Sequence, residues 1–418
     1  MMPTVKERQV KTTNLILGMY VSNLDRPWVE SPFAFKGFVI RSQSDIDLLM
    51  RHCSYVYVDV EQGVCPTEIC GGKIPQSASA REDKTLDDIT HHAAPSVAEP
   101  TVAEHKEALR AFRHIEQEFA KVAADVKMGN KLKIPEIINS LKPMMVSVSK
   151  NPDAFMQLLM LDARHSTLTS DAVSSAVLAT AIGVRVGVKP RELGQLALGG
   201  FLFDVGKLTL PPELLGEQRK FTPAEFKVVQ SHVEAGVRIL ESAYGTNPLL
   251  ISMAQHHHER FDGSGYPLGL IGKDIPLAAR IMAIVDCFAA ITAHRSYATA
   301  MSPYHAALKL YEWRDVDFDP RLVEQLIQVV GVYPIGSPVE LTNGETAVVV
   351  AHNKSQRLRP VVALMLNADQ EPYGTPVKVN LAKQEKDEDG NMLGIKKALS
   401  GDRFSINLTG LAQEIFES

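Results

Sequence analysis

Between residues 275 and 294 the chain reads IPLAARIMAIVDCFAAITAH, a helical segment that is apolar almost all the way round. Such a helix has no face to offer water, so it belongs at the centre of other helices. Its neighbours agree with that placement. From about 104 to 330 nearly every stretch reads as helix, including the amphipathic EHKEALRAFRHIEQEFAKVAADVK and the run IPEIINSLKPMMVSVSK. Thr222, Pro223 and Glu225 mark a helix start, with an N-cap threonine, a first-turn proline and a glutamate three residues on. Behind them Phe226, Val229, Val233, Val237 and Leu240 recur at spacings of three and four, which predicts one buried stripe.

The flanks differ. Residues 1–72 read as a small α+β domain. Its helix carries Ile46, Leu49 and Met50 on one side, and its last strand sets Tyr55, Tyr57 and Asp59 against Val56, Val58 and Val60. Trp28, Pro32, Phe33, Phe35 and Phe38 concentrate apolar surface between these elements, best used in packing. Residues 73–103 are polar, rich in Ser, Ala and Pro and without period, and read as a flexible linker. Residues 331–418 turn to short strands, with Asn343-Gly344 as a turn, and form a β-rich extension. The fold expected is therefore mainly α: a helical bundle at 104–330 between a small α+β domain and a β appendage.

Charge and leader signals narrow the function classes. The net charge is −5, which gives no electrostatic footprint for duplex nucleic acid. No window reaches the roughly 18 uninterrupted apolar residues of a membrane helix, and the N-terminus lacks a signal-peptide core. Four cysteines are too few for a disulfide scaffold, so a cytoplasmic chain with reduced thiols is expected.

Three places in the helical region hold polar groups where a plain core would not. Asp204 sits in FLFDVGK, an apolar stretch, and must be paired, hydrogen-bonded or metal-bound to offset its desolvation. A salt bridge to Lys207 is one solution. His256, His257 and His258 end a helix and precede Asp262-Gly-Ser-Gly-Tyr-Pro267, where Gly263 and Gly265 let backbone N–H groups approach an anion. Asp286 interrupts the most apolar helix of the chain. With His232, these residues offer imidazole and carboxylate ligands from separate helices, a mixture that suits iron, manganese or a similar divalent transition metal.

HHERFDGSGYP, followed by RIMAIVDCFAAITAHRSYATAMSP, resembles the signature of the HD-GYP family, and FLFDVGKLTLPPELL resembles the stretch carrying its HD pair. The likeness covers about 160–330, and LGMYVSNLDRPWVESPFAFKGFVIRS resembles a small domain that often precedes it. The resemblance implies an HD-superfamily helical bundle with a multi-metal site that hydrolyses cyclic di-GMP to pGpG or GMP. It implies metal ligands at Asp204, His232, His257, His258 and Asp286. Contacts to ligand come from Lys207 and Arg295, and from Gly263, Gly265 and Tyr266 in the loop.

Other family positions are replaced. The HD histidine is Phe203, an upstream histidine falls on Asp171, a glutamate on Thr167, a second aspartate on Ala289 and a lysine on Ala298. Asp171 to Phe203 spans 32 residues and Phe203 to His232 spans 29, both in register with the family. His165 lies nearby but out of helical register. One metal position thus keeps its whole set, Asp204, His232, His257 and His258, while the others lose imidazoles or carboxylates.

The expectation is a degenerate HD-GYP protein with about one metal per chain. It would act by binding cyclic di-GMP or its products, or a diguanylate cyclase (GGDEF protein) at the Asp262–Pro267 loop. A working phosphodiesterase, with Asp204 and Lys207 in catalysis, is the alternative. A purely structural interaction protein is the third. The oligomeric state, a homodimer included, stays open.

Overall fold

The structure, a computed structural model, describes residues 7–25, 38–40, 43–59, 64, 100–161, 167–215, 221–244, 247–292, 301–353, 356–384, 386–387 and 390–400. Arg295, Ala298, His165, most of the 73–103 linker and the aromatic residues Trp28, Phe33 and Phe35 lie outside the described residues.

The N-terminal unit is an antiparallel sheet of β1 (Glu7–Lys11), β2 (Tyr20–Leu24), β3 (Phe38–Val39) and β4 (Tyr55–Asp59), in the order β1-β4-β2-β3. It packs against α1 (Gln43–His52). Val56 and Val58 point into the core, as the alternation requires, but Asp59 is buried too, at 4% exposure. Met50 does not join Ile46 and Leu49 in that core: it is 48% exposed, because α1 buries only the narrow face that meets the sheet.

The bundle begins with α2 (Val102–Lys127), which starts inside the expected linker because Thr101 and Glu104 cap it reciprocally. It continues through α3 (Ile134–Lys150), α4 (Pro152–Leu161), α5 (Leu168–Arg185), α6 (Pro190–Leu202), α7 (Pro212–Leu215), α8 (Pro223–Tyr244) and α9 (Pro248–His256). α10 (Leu277–Thr292), α11 (Pro303–Glu312) and α12 (Pro320–Val330) complete it. The apolar segment is central as expected. On α10, Ile281, Met282, Ile284, Val285 and Phe288 are all buried, and the helix packs on α5, α9, α11 and α12. No helix among the described residues is long and apolar enough to cross a membrane.

On α8 the cap is as read from sequence: Thr222 Oγ1 accepts from Glu225 N, and Glu225 accepts from Thr222 N at 2.8 Å. The buried stripe is shorter than its periodicity predicts. Val233 and Leu240 are buried, Val229 and Val237 half-buried, and Phe226 is 43% exposed. In the first turn of α8, Phe226 sets its ring edge-on to that of Tyr266.

A five-stranded antiparallel sheet closes the chain, in the order β8-β7-β6-β5-β9. Its strands are β5 (Pro338–Leu341), β6 (Thr346–Ala351), β7 (Val361–Leu366), β8 (Pro372–Asn380) and β9 (Ile395–Ala398). Gly344, at φ +89°, makes the expected β5–β6 turn. The sheet is bolted to α4: Gln157 donates to the Val350 carbonyl at 2.6 Å, and His352 donates its backbone N–H and its ring Nδ1–H to Asp153.

Candidate metal centre

Asp204 follows the end of α6 and opens a 3-10 turn, Val205–Thr209. That turn lies directly on α8. A Cβ on Gly206 would sit 1.9 Å from the His232 carbonyl oxygen and 2.6 Å from Gly236 N, so only glycine permits the approach. The contact brings Asp204 against His232, which is 1% exposed. His257 and His258 arrive from the C-terminal end of α9, His257 fully buried and His258 partly so.

One atom from each of Asp204, His232, His257 and His258 falls within 4.8 Å of the others. Asp204 Oδ1 is 3.3 Å from His232 Nε2 and 3.5 Å from His257 Nε2, and the two Nε2 atoms are 3.3 Å apart. These are the separations of ligand atoms that share one ion about 2.1 Å from each. The protonation pattern supports that use. His232 Nδ1 donates to the Val229 carbonyl at 2.6 Å, and His257 Nδ1 to the Ala254 carbonyl at 2.9 Å. Both Nε2 lone pairs therefore point inward. Asp204 Oδ1 is buried and has no hydrogen-bond donor among the described residues. Three electron-rich atoms converge, and a cation between them would remove the repulsion.

Burial pushes the Asp204 carboxyl up, but the Lys207 ammonium beside it outweighs this and holds the group well below the usual carboxylate range. Burial, with His257 beside it, lowers His258 well below the ordinary imidazole value, so its lone pair is free at neutral pH. The salt bridge expected between Asp204 and Lys207 is present, on the other oxygen, Oδ2. The two oxygens of one carboxylate thus serve a lysine and a ligand cluster at once. Desolvation disfavours charged Lys207, yet Asp204, Asp286 and Asp171 more than compensate, and the ammonium is held firmly protonated.

Asp286 lies outside the group of four; half-buried on α10, it acts on Lys207 through its field. The replaced positions are apolar or otherwise engaged. Phe203 is 3% exposed, with its ring edge-on to His257 at 4.9 Å between centroids. Ala289 is buried in the α10 core. Thr167 caps α5, accepting from Ser170 N at 3.1 Å, and Asp171 is half-buried on the first turn of that helix.

The loop after the histidines is held by Glu259, which sequence reasoning did not single out. Its side chain is fully buried, and its carboxylate accepts from Leu268 N at 2.8 Å and Leu270 N at 3.1 Å. An acidic residue directly between a histidine pair and a glycine loop was the available signal. Gly265 packs so tightly that a Cβ would lie 2.3 Å from Arg260 N, while Gly263 adopts φ +87°. Tyr266 donates its N–H to the His258 carbonyl and stacks its ring on His258 at 4.7 Å.

Comparison with known proteins agrees with this architecture. Residues 154–322 match the HD domain family, 7–137 a domain of unknown function (DUF3391), and 338–400 a KOW domain associated with the HD domain. The first of these flanking matches runs past the β-sheet into α2 and α3. The stretch similar to the HD domain thus lies between these two other matches. It is 28% identical, over 86% of both chains, to a Pseudomonas aeruginosa protein named cyclic di-GMP phosphodiesterase. Over 35% of this chain and 39% of the other, it is 35% identical to a Xanthomonas campestris cyclic di-GMP phosphodiesterase response regulator. It is 37% identical to a Vibrio cholerae 3'3'-cGAMP-specific phosphodiesterase, over 34% of this chain and 27% of the other.

Proposed function

We propose that this is a cyclic di-GMP-binding HD-GYP protein that holds one divalent transition metal, iron or manganese, and acts in the cytoplasm through ligand and partner engagement with weak or no hydrolysis. The observation that carries the reading is Phe203. Its ring packs against His257 where a second metal position would need an imidazole, and no second cluster of metal-ligating residues occurs among the described residues. A two-metal hydrolase needs ions about 3.5–4 Å apart to clamp both the attacking and the leaving oxygen.

Asp204, His232, His257 and His258 would hold the metal, which when bound supplies a Lewis acid toward a phosphoryl oxygen. Lys207, fixed by Asp204, would contact a phosphate, with Arg295 as its partner. Gly263, Gly265 and Tyr266 would wall the ligand site and offer the loop to a diguanylate cyclase. Asp286 would tune Lys207, or complete the metal sphere once an ion draws the helices in.

The relative that spans most of the chain and bears a phosphodiesterase name favours a second reading, an active enzyme in which Asp171 helps to hold a second ion. Metal analysis of protein purified without chelators, with nucleotide titration and a phosphodiesterase assay, separates the two. One metal per chain, binding and negligible turnover support the first. Two or more metals with turnover on the order of 1 per second or faster support the second. Neither binding nor turnover removes both.

A further inference from the structure

The helix α8 begins with a fixed turn. Thr222 and Glu225 cap each other, and Phe226 N–H donates to the Thr222 carbonyl at 2.8 Å. The Phe226 side chain stays outside the core all the same. It is 43% exposed, while Val233 and Leu240 of the same stripe are buried. A lone exposed phenyl ring is ordinary on a protein surface. What sets this one apart is the series of rings that it ends.

The His257 and His258 ring centroids are 4.1 Å apart, and His258 stacks on Tyr266 at 4.7 Å and 25°. Tyr266 in turn meets Phe226 edge to face, at 6.1 Å and 80°. Exposure rises along the series: His257 is sealed, His258 and Tyr266 are half-buried, and Phe226 is open to water. The first two rings belong to the metal cluster. An aromatic path therefore runs by successive ring contacts from the candidate metal centre to solvent. Its members are held in place. Tyr266 N–H donates to the His258 carbonyl at 3.2 Å, and Glu259 ties the loop just beyond through Leu268 N and Leu270 N.

An ordered aromatic path beside a cation centre suits a ligand that carries a phosphate and a flat ring on one sugar. The phosphate meets the metal, and every base has a π-face that stacks on an aromatic side chain. We propose that Phe226 is a nucleobase-binding residue: with a phosphate of the ligand at the metal centre, a base packs on the exposed Phe226 ring beside Tyr266. The identity of the ligand as a cyclic dinucleotide rests on the function proposed above; the aromatic platform does not. Leu268 and Ile271 of the same loop, 62% and 61% exposed, would suit an aliphatic protein contact instead, but neither belongs to the ring series.

The test titrates cyclic di-GMP calorimetrically into the full-length parent, Phe226→Ala, Phe226→Leu and Phe226→Tyr, with metal content measured on the same samples. The expected result is affinity about fivefold or more weaker in the alanine and leucine variants, near the parent's in the tyrosine variant, and metal content unchanged in all. Parent-like affinity in Phe226→Ala overturns the proposal. So does parent-like affinity in Phe226→Leu, which would show that apolar bulk suffices, or a tyrosine variant as weak as the aliphatic ones. If Phe226→Ala loses metal or fails to fold, Phe226→Leu decides in its place. Loss of metal there too overturns the proposal, because the ring then supports the metal site and not the base. Should the parent bind no cyclic di-GMP, the proposed function fails, and GMP against inorganic phosphate becomes the probe pair. A parent that binds GMP at least about fivefold more tightly than phosphate, with that margin lost in Phe226→Leu, upholds the platform. No margin in the parent, or the same margin in both proteins, overturns it.

Discussion

The ligand positions that this chain keeps and those that it replaces are built from different materials. The kept set holds His232 and His257, both with Nε2 within 3.5 Å of Asp204 Oδ1 and both with Nδ1 tied to a carbonyl. The positions where the family resemblance implies further ligands hold instead a phenyl ring at Phe203, a methyl at Ala289, a helix-capping Thr167 and a half-buried Asp171. The intact ligands come from α8 and α9, which the Gly206 turn and the Glu259-held loop pin independently of α5. Among the described residues, the replaced positions come from the cap and first turn of α5, from α10 and from the end of α6. The two sets meet at Phe203, whose ring packs on His257, and at Asp204, which Lys207 anchors.

If that contrast is right, the largest effect follows from His232→Ala. Metal content should fall from about one per chain to near zero by elemental analysis, since removing an imidazole dismantles the one complete set. Retention of the metal would mean that the two sets are not distinct. Next is the reverse experiment, Phe203→His combined with Asp171→His, which should raise metal content toward two per chain and speed hydrolysis of cyclic di-GMP. Phe203→His alone should cost about 1–3 kcal/mol in denaturant unfolding, as a buried imidazole without its ion lacks a partner. The single changes are poor guides to the pair, because ligands of one ion act together.

Gly206→Ala should cost about 3 kcal/mol, because its Cβ would meet the backbone of α8 and lift Asp204 from His232. Gly194→Ala on α6, whose nearest neighbour would be the Met145 methyl at 3.7 Å, should instead raise stability by up to about 1 kcal/mol. Equal outcomes for the two glycines would break the argument that the turn positions the site.

The smallest effect belongs to the distant β-sheet. Glu340, bonded to Lys396 at 2.7 Å and Lys397 at 3.0 Å, has its carboxyl held below the usual value by those two lysines. A depressed carboxyl stabilises the fold above its unfolded value, and that contribution disappears as pH falls through the folded one. The pair is near the surface and screened, so Glu340→Gln should cost only about 0.5 kcal/mol at neutral pH, with metal content unchanged.

The helical bundle, its central apolar helix and the cap at Thr222–Glu225 were legible in the sequence because periodicity and capping act between residues three or four apart. The same holds for the two histidines and glycines of HHERFDGSGYP, which are neighbours in the chain. The helix α2 begins at Val102, with its Thr101 cap in a stretch that otherwise reads as linker. Only the tertiary structure decided that Asp204 divides its oxygens between Lys207 and the histidines, that Asp286 stands outside the cluster and that Glu259 holds the loop. It alone decided that Phe226 and Met50 face solvent despite a helical spacing that suited burial. Spacing tells which residues share a face of one helix. Which part of that face finds a neighbour, and which ligand atoms meet, depends on how separate helices pack, where glycines such as Gly206 let backbones touch.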